Sequence, residues 1–61
     1  MKAVFLENVT VKDEKHGFEM QIDKGEQLKA TDRGNFYELR KKNGWGTLAP
    51  KSSEGEIYQI I

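Results

Sequence analysis

Three runs within residues 17–50 decide the fold: Gly17-Phe18-Glu19-Met20-Gln21-Ile22-Asp23-Lys24-Gly25-Glu26-Gln27-Leu28-Lys29-Ala30, then Asn35-Phe36-Tyr37-Glu38-Leu39, then Gly44-Trp45-Gly46-Thr47-Leu48-Ala49-Pro50. Phe18, Met20 and Ile22 alternate with Glu19 and Gln21, the period-2 pattern of a half-buried strand. Asp23-Lys24-Gly25 has turn chemistry. Leu28 and Ala30 then continue an inward face between Gln27, Lys29 and Thr31. Asp32-Arg33-Gly34-Asn35 is a second turn. Residues 36–40 follow as a strand with Tyr37 and Leu39 on one side. Lys42-Asn43-Gly44 closes a hairpin, Asn-Gly being the strongest short hairpin signal. The returning strand covers 45–49 and stops at Pro50, which cannot donate to a ladder.

The flanks extend the same pattern. Residues 2–11 carry Ala3, Val4, Phe5, Leu6, Val9, Thr10 and Val11, rich in β-branched and aromatic types. Two short strands, or one strand bent at Glu7-Asn8, both fit. Residues 12–16 are wholly polar and end at Gly17, which reads as a loop. Residues 52–56 form another loop, with room for one 3₁₀ turn over 52–55. Residues 57–61 make a last strand. A helix over 36–42 is disfavoured, because Gly34 and Gly44 leave too few residues for a stable isolated helix, which needs roughly 12. The expectation is a single all-β domain over 1–61: a small barrel of five or six antiparallel strands, closed to hide its edges.

Composition bounds what such a domain can do. The chain has 61 residues and no cysteine, so disulfides and thiolate metal sites are excluded. A domain this size buries about 60% of its unfolded surface, and its core supplies about 3–5 kcal/mol. Ten basic and ten acidic residues balance, whereas a dedicated DNA binder carries a positive excess. Zero net charge and spread aromatics argue against disorder. No apolar run approaches the roughly 20 residues that span a bilayer, and Lys2 begins a charged-apolar mixture rather than a signal-peptide core. The expected location is the cytoplasm, without membrane contact.

In their order along the chain, these motifs resemble an Src-homology-3-like (SH3-like) barrel over residues 9–61. Residues 17–22 resemble the arm after that family's long first loop. Lys24-Gly25-Glu26-Gln27-Leu28 resembles its diverging turn, Phe36-Tyr37-Glu38 its aromatic pair, and Gly46-Thr47-Leu48-Ala49-Pro50 its Gly-x-x-Pro stretch. The segment ending in Ile57 and Ile60 resembles the closing strand after a short helical turn. The resemblance implies the fold and, in the eukaryotic members, a shelf of aromatics for Pro-rich helices. Here Val9-Thr10-Val11 stands where that shelf has tyrosines, and Ser52-Ser53 stands near its late tyrosine. Only Phe36 and Pro50 match shelf positions, so recognition of a PxxP ligand is not implied. The fold alone hosts many unrelated functions.

The candidate contact residues lie on the hairpin. Trp45, beside two glycines, is either an exposed interface anchor or a large share of a small core. Phe36 and Tyr37 are adjacent and so face opposite sides. One of them exposed and facing Trp45 across the hairpin would make an aromatic patch. Arg40, Lys41 and Lys42, with Lys51, form the main basic cluster, which is either a nucleic-acid backbone track with stacking aromatics or a solvated tip that discourages edge pairing. Acidic bias over 7–26 makes the chain a charge dipole suited to a protein partner or to self-contact. Asp13, Glu14 and His16 lack the glycine and distal glutamate of an EF-hand loop and the partners of a zinc site. They read as a hydrated loop. No cofactor and no metal are expected. His16 is the sole neutral-pH base and is remote in sequence from Ser52 and Ser53, and a barrel this small is filled by its own side chains. No enzymatic activity is expected.

Two functional readings follow. The first is a non-catalytic module that binds a protein partner through the 36–49 hairpin, in the style of a small phage or mobile-element regulator. The alternative is a nucleic-acid-binding barrel using the basic tip and exposed aromatics. A homo-oligomer paired through the C-terminal strand is the remaining partner expectation.

Overall fold

The computed structural model describes residues 1–13 and 17–61, with the backbone alone for Asp13 and Phe18. The protein is all-β. Its strands are β1 (Lys2–Phe5), β2 (Val9–Asp13), β3 (Phe18–Ile22), β4 (Gln27–Asp32), β5 (Phe36–Arg40), β6 (Gly46–Pro50) and β7 (Tyr58–Ile60). Five of them form a curled antiparallel half-barrel in the order β6-β5-β4-β1-β7, and β2 pairs with β3 in a second, two-stranded sheet. Of the two arrangements open for residues 2–11, the chain takes two strands. β2 runs through Lys12 and Asp13, so those two residues are strand rather than loop. The remainder of that loop, with Glu14 and His16 of the acidic-histidine cluster, lies outside the described residues.

Alternation fixes which residues meet. Ala3 faces Leu28, Ala30 faces Leu39, and Tyr37 faces Ala49 across the ladders. Residues directly opposite in antiparallel strands point to the same side. Ala3, Leu28, Ala30, Leu39 and Ala49 build the core with Phe5, Ile22 and Tyr58, and Val9, Val11, Tyr37, Trp45, Ile57 and Ile60 pack against it as half-buried neighbours. Leu28 and Ala30 are inward as their alternation predicts, and so is Ile22 at the end of β3.

The two hairpin turns that flank β5 depend on glycine. Arg33 N–H donates to the Phe36 carbonyl at 2.9 Å, which leaves Gly34-Asn35 as a two-residue loop. Gly34 has φ +96°, matching a type II′ turn with glycine at the first central position. The Asn43-Gly44 turn is different. Gly44 N–H donates to the Lys41 carbonyl at 3.0 Å and Lys41 N–H to the Trp45 carbonyl at 2.8 Å. Gly44 has φ +92°, while among the described residues no non-glycine residue has positive φ. Asn43 therefore does not enter the type I′ conformation that its sequence suggests. The loop is the three-residue kind, a tight turn followed by a left-handed glycine. Trp45 follows that loop, its carbonyl paired with Lys41 N–H, and the strand begins at Gly46.

The main sheet stops short of hydrogen-bonded closure. β6 and β7 are its two edges, linked by a 3₁₀ turn over Lys51–Ser53 and a single bridge between Glu54 and Tyr58. β7 is accordingly an edge strand. Tyr58 is buried, while Gln59 and Ile60 are half-buried.

Candidate functional site

The curled sheet gives every strand an inner and an outer side, and this divides the candidate contact residues. Leu39 and Tyr37 of β5 face inward, and Phe36, Glu38 and Arg40 face outward. Tyr37 packs edge-on against Tyr58, ring centroids 6.2 Å apart. Lys51 Nζ sits 4.9 Å from the Tyr37 ring centroid and 2.9 Å from Asp32 Oδ1. Phe36 is half-buried and lies opposite Pro50. Phe36 and Pro50 are thus cross-strand neighbours on the outer face.

Trp45 is half-buried and packs against the core. Its backbone N–H donates to Asn43 Oδ1 at 2.9 Å, which holds the loop that carries it. Phe36 pairs with Pro50 at one end of the hairpin, and Trp45 closes the other end. Phe36, the outward one of the adjacent aromatics, does not face Trp45: the four remaining residues of β5, 37–40, lie between it and the loop.

The basic residues also divide. Lys41 turns away from solvent: its Nζ donates to the Gln21 carbonyl at 2.8 Å and lies 3.1 Å from Glu26 Oε2, tying the hairpin tip to the end of β3. The Glu26 carboxylate also accepts from the Asp23 backbone N–H at 3.2 Å. That bond first, and Lys41 second, hold its pKa below the usual carboxylate range. Lys51 is grouped with Asp32 and Tyr37 at the far end of β6, away from the Arg40–Lys42 tip. Asp32 is held low by the Gly34 backbone N–H and then by Lys51.

On the outer face Glu38 stands between two guanidinium groups. Its Oε1 accepts from Arg33 Nε at 2.9 Å and Nη2 at 2.6 Å, and its Oε2 accepts from Arg40 Nη2. Arg40, then Arg33, hold the Glu38 carboxyl below its ordinary range. This triad carries one net positive charge. Directly opposite Glu38 on β6 is Leu48, 61% exposed. Leu48 is the candidate contact residue that sequence reasoning missed. It shares the outward phase of β6 with Gly46 and Pro50, out of step with inward Thr47 and Ala49.

A second missed feature is a row of cations. Lys2 lies opposite Lys29, and Lys29 lies opposite Arg40. All three are exposed on the outer face, across the adjacent strands β1, β4 and β5. They are far apart in sequence, so only the register brings them together. A groove at this end of the sheet is lined by Lys2, Lys29, Arg40 and Lys42 together with Glu26 and the apolar Met1, Leu28 and Ile61. Among the described residues no group of histidine, cysteine or carboxylate side chains is arranged to hold a metal ion.

No protein family, no curated protein and no solved structure matches this chain. Among the described residues no helix is long and apolar enough to cross a membrane.

Proposed function

We propose that the chain is a non-catalytic protein-binding module, an SH3-like barrel whose contact surface is the outer face of the 36–49 hairpin. The observation that carries this reading is Leu48. A large apolar side chain stands 61% exposed beside the ion-paired Arg33-Glu38-Arg40 triad, with Phe36 and Pro50 on the same face. An apolar centre within a polar, positively charged rim is the anatomy of a protein contact surface. The SH3-like reading draws support from the order of loop, arm, turn and hairpin, and from the 3₁₀ turn that precedes the last strand. A cytoplasmic phage or mobile-element regulator occupying a host protein's surface suits this size and style.

The test compares capture of partners from an extract of the source organism by the wild type, by Leu48→Asp and by the surface control Glu19→Lys. A partner retained by Glu19→Lys and lost by Leu48→Asp supports the reading. Equal retention by Leu48→Asp overturns it. The nucleic-acid reading shares the exposed cations, but Tyr37 and Trp45, the aromatics it calls on for stacking, pack against the core. A salt titration with single-stranded and duplex oligonucleotides tests it, because phosphate contacts produce a log-linear loss of affinity with salt.

A further inference from the structure

From the transverse row Lys2–Lys29–Arg40 we infer that the outer face takes an acidic amphipathic helix of a partner protein. This rests on the protein-binding reading and names the chemistry of the partner. Like charges directly opposite one another on adjacent strands oppose folding, and this sheet places three cations in one line. Glu38 offsets Arg40 alone, and it is shared with Arg33. Among the described residues neither Lys2 nor Lys29 has an acidic partner. Lys42 adds a further exposed cation at the rim of the same groove.

The spacing selects the ligand. Neighbouring strands lie about 4.8 Å apart, so the row repeats at that interval. Carboxylates on one face of an α-helix recur every turn, about 5.4 Å, close enough for flexible lysine and arginine stems to follow. Carboxylates on one side of an extended peptide recur about every 6.6 Å, twice the strand rise, and drift out of step within three residues. The row ends on β6 at Gly46, opposite Arg40, which has no side chain to obstruct a helix. Two residues on, Leu48 offers an apolar contact for the helix's flanking leucines. Single-stranded nucleic acid fits less well, since its bases call for exposed aromatic platforms and the row has none.

The probe is a labelled helical peptide with glutamates at i, i+4 and i+7 on one face and leucines beside them. Its control has the same composition in scrambled order. Saturable binding at low salt is expected, with backbone amide shifts at Lys2, Lys29, Arg40 and Leu48, and with the scrambled peptide at least about tenfold weaker, as loss of several partly desolvated charge pairs gives. The variant Lys2→Glu/Lys29→Glu should weaken binding roughly tenfold, because two exposed ion pairs become repulsions. Lys2→Glu alone should raise the urea midpoint, since it replaces a like-charge cross-strand pair by an opposite-charge one, while weakening the peptide. Undetectable binding, equal binding of the scrambled peptide, insensitivity to the double reversal, or tighter binding of an oligonucleotide or a phosphatidylserine vesicle overturns the inference. If the peptide fails while Leu48→Asp still loses a captured protein, the module stands and only the acidic-helix partner falls.

Discussion

The Tyr58 hydroxyl donates to the Pro50 carbonyl at 2.7 Å, joining the first residue of β7 to the last residue of β6. These two strands are the open edges of the half-barrel. Where the sheet does not close by a ladder, one side-chain hydrogen bond and the rings around it close it. Tyr58 is 1% exposed, tilted against Phe5 at 6.0 Å and edge-on to Tyr37.

Tyr58→Phe keeps the ring and removes only that bond. The expected cost is about 1 kcal/mol, a large share of the roughly 3–5 kcal/mol available to a core of this size. It corresponds to a fall in Tm of roughly 4–8 °C. Tyr58→Ala removes the ring as well and should leave the chain unfolded, since truncating a buried aromatic costs about 3–5 kcal/mol. Urea denaturation of both variants checks this. An unchanged midpoint for Tyr58→Phe would show that the edges are held by packing alone.

Trp45→Ala should destabilise by about 2 kcal/mol, roughly half the cost of truncating a fully buried aromatic, because the indole packs against the core yet remains half-exposed. Trp45→Phe should cost less. If instead Trp45→Ala leaves the urea midpoint in place and abolishes partner capture, the indole is an interface anchor and not part of the core.

Period-2 alternation was enough to place the inward set Ile22, Leu28, Ala30 and Leu39, because burial on one face of a strand is a local pattern. The turns at 23–25 and 32–35 were legible for the same reason, as glycine positions carry backbone information in a single residue. The site was less legible. Register decides which outward residues become neighbours, and register is a property of strand pairs. Lys2, Lys29 and Arg40 meet only because β1, β4 and β5 stack in that order, and nothing local in the chain announces it. Lys41 and Lys42 are adjacent in sequence and both read as tip cations, yet the alternation of the chain through the turn sends Lys41 back to Glu26 and Gln21. An outward Phe36 or Tyr37 reads as a partner for Trp45 because all three are aromatic residues of one hairpin, and Phe36 is the outward one. The pairing fails because Phe36 sits at the open end of the hairpin and Trp45 at its loop.

The two glycines around Trp45 should respond differently to alanine. At Gly44 a Cβ meets nothing within 4 Å, but φ is +92°, so Gly44→Ala should cost about 1–2 kcal/mol from backbone conformation alone. At Gly46 the conformation is ordinary and the Cβ would sit 3.3 Å from the Leu39 carbonyl oxygen. Gly46→Ala should therefore cost less, with the strain taken up by a small shift of β5 against β6. Equal losses in urea would mean that the crowding at Leu39 matters as much as the left-handed turn.

Stability should fall at both ends of the pH scale, for opposite reasons. Glu38, Asp32 and Glu26 all have folded-state pKa values held below the ordinary carboxylate range by guanidinium, ammonium and backbone N–H partners. Their contribution is complete above the unfolded values, about 4, and is lost as pH falls through the lower folded ones. These groups face solvent, so the acid limb should be shallow and should shrink further in high salt. Glu38→Gln should flatten it by removing the triad's share. At the alkaline end, burial raises the Tyr58 phenol above its ordinary value, about 10, and Asp32 raises Lys51. The folded state then holds protons that the unfolded state has released, so stability declines as pH climbs beyond that range. Tyr58→Phe should remove the tyrosine part of this decline while leaving the acid limb in place. A pH series of urea midpoints checks both limbs, and an acid limb unchanged in Glu38→Gln would deny the triad any part in folding.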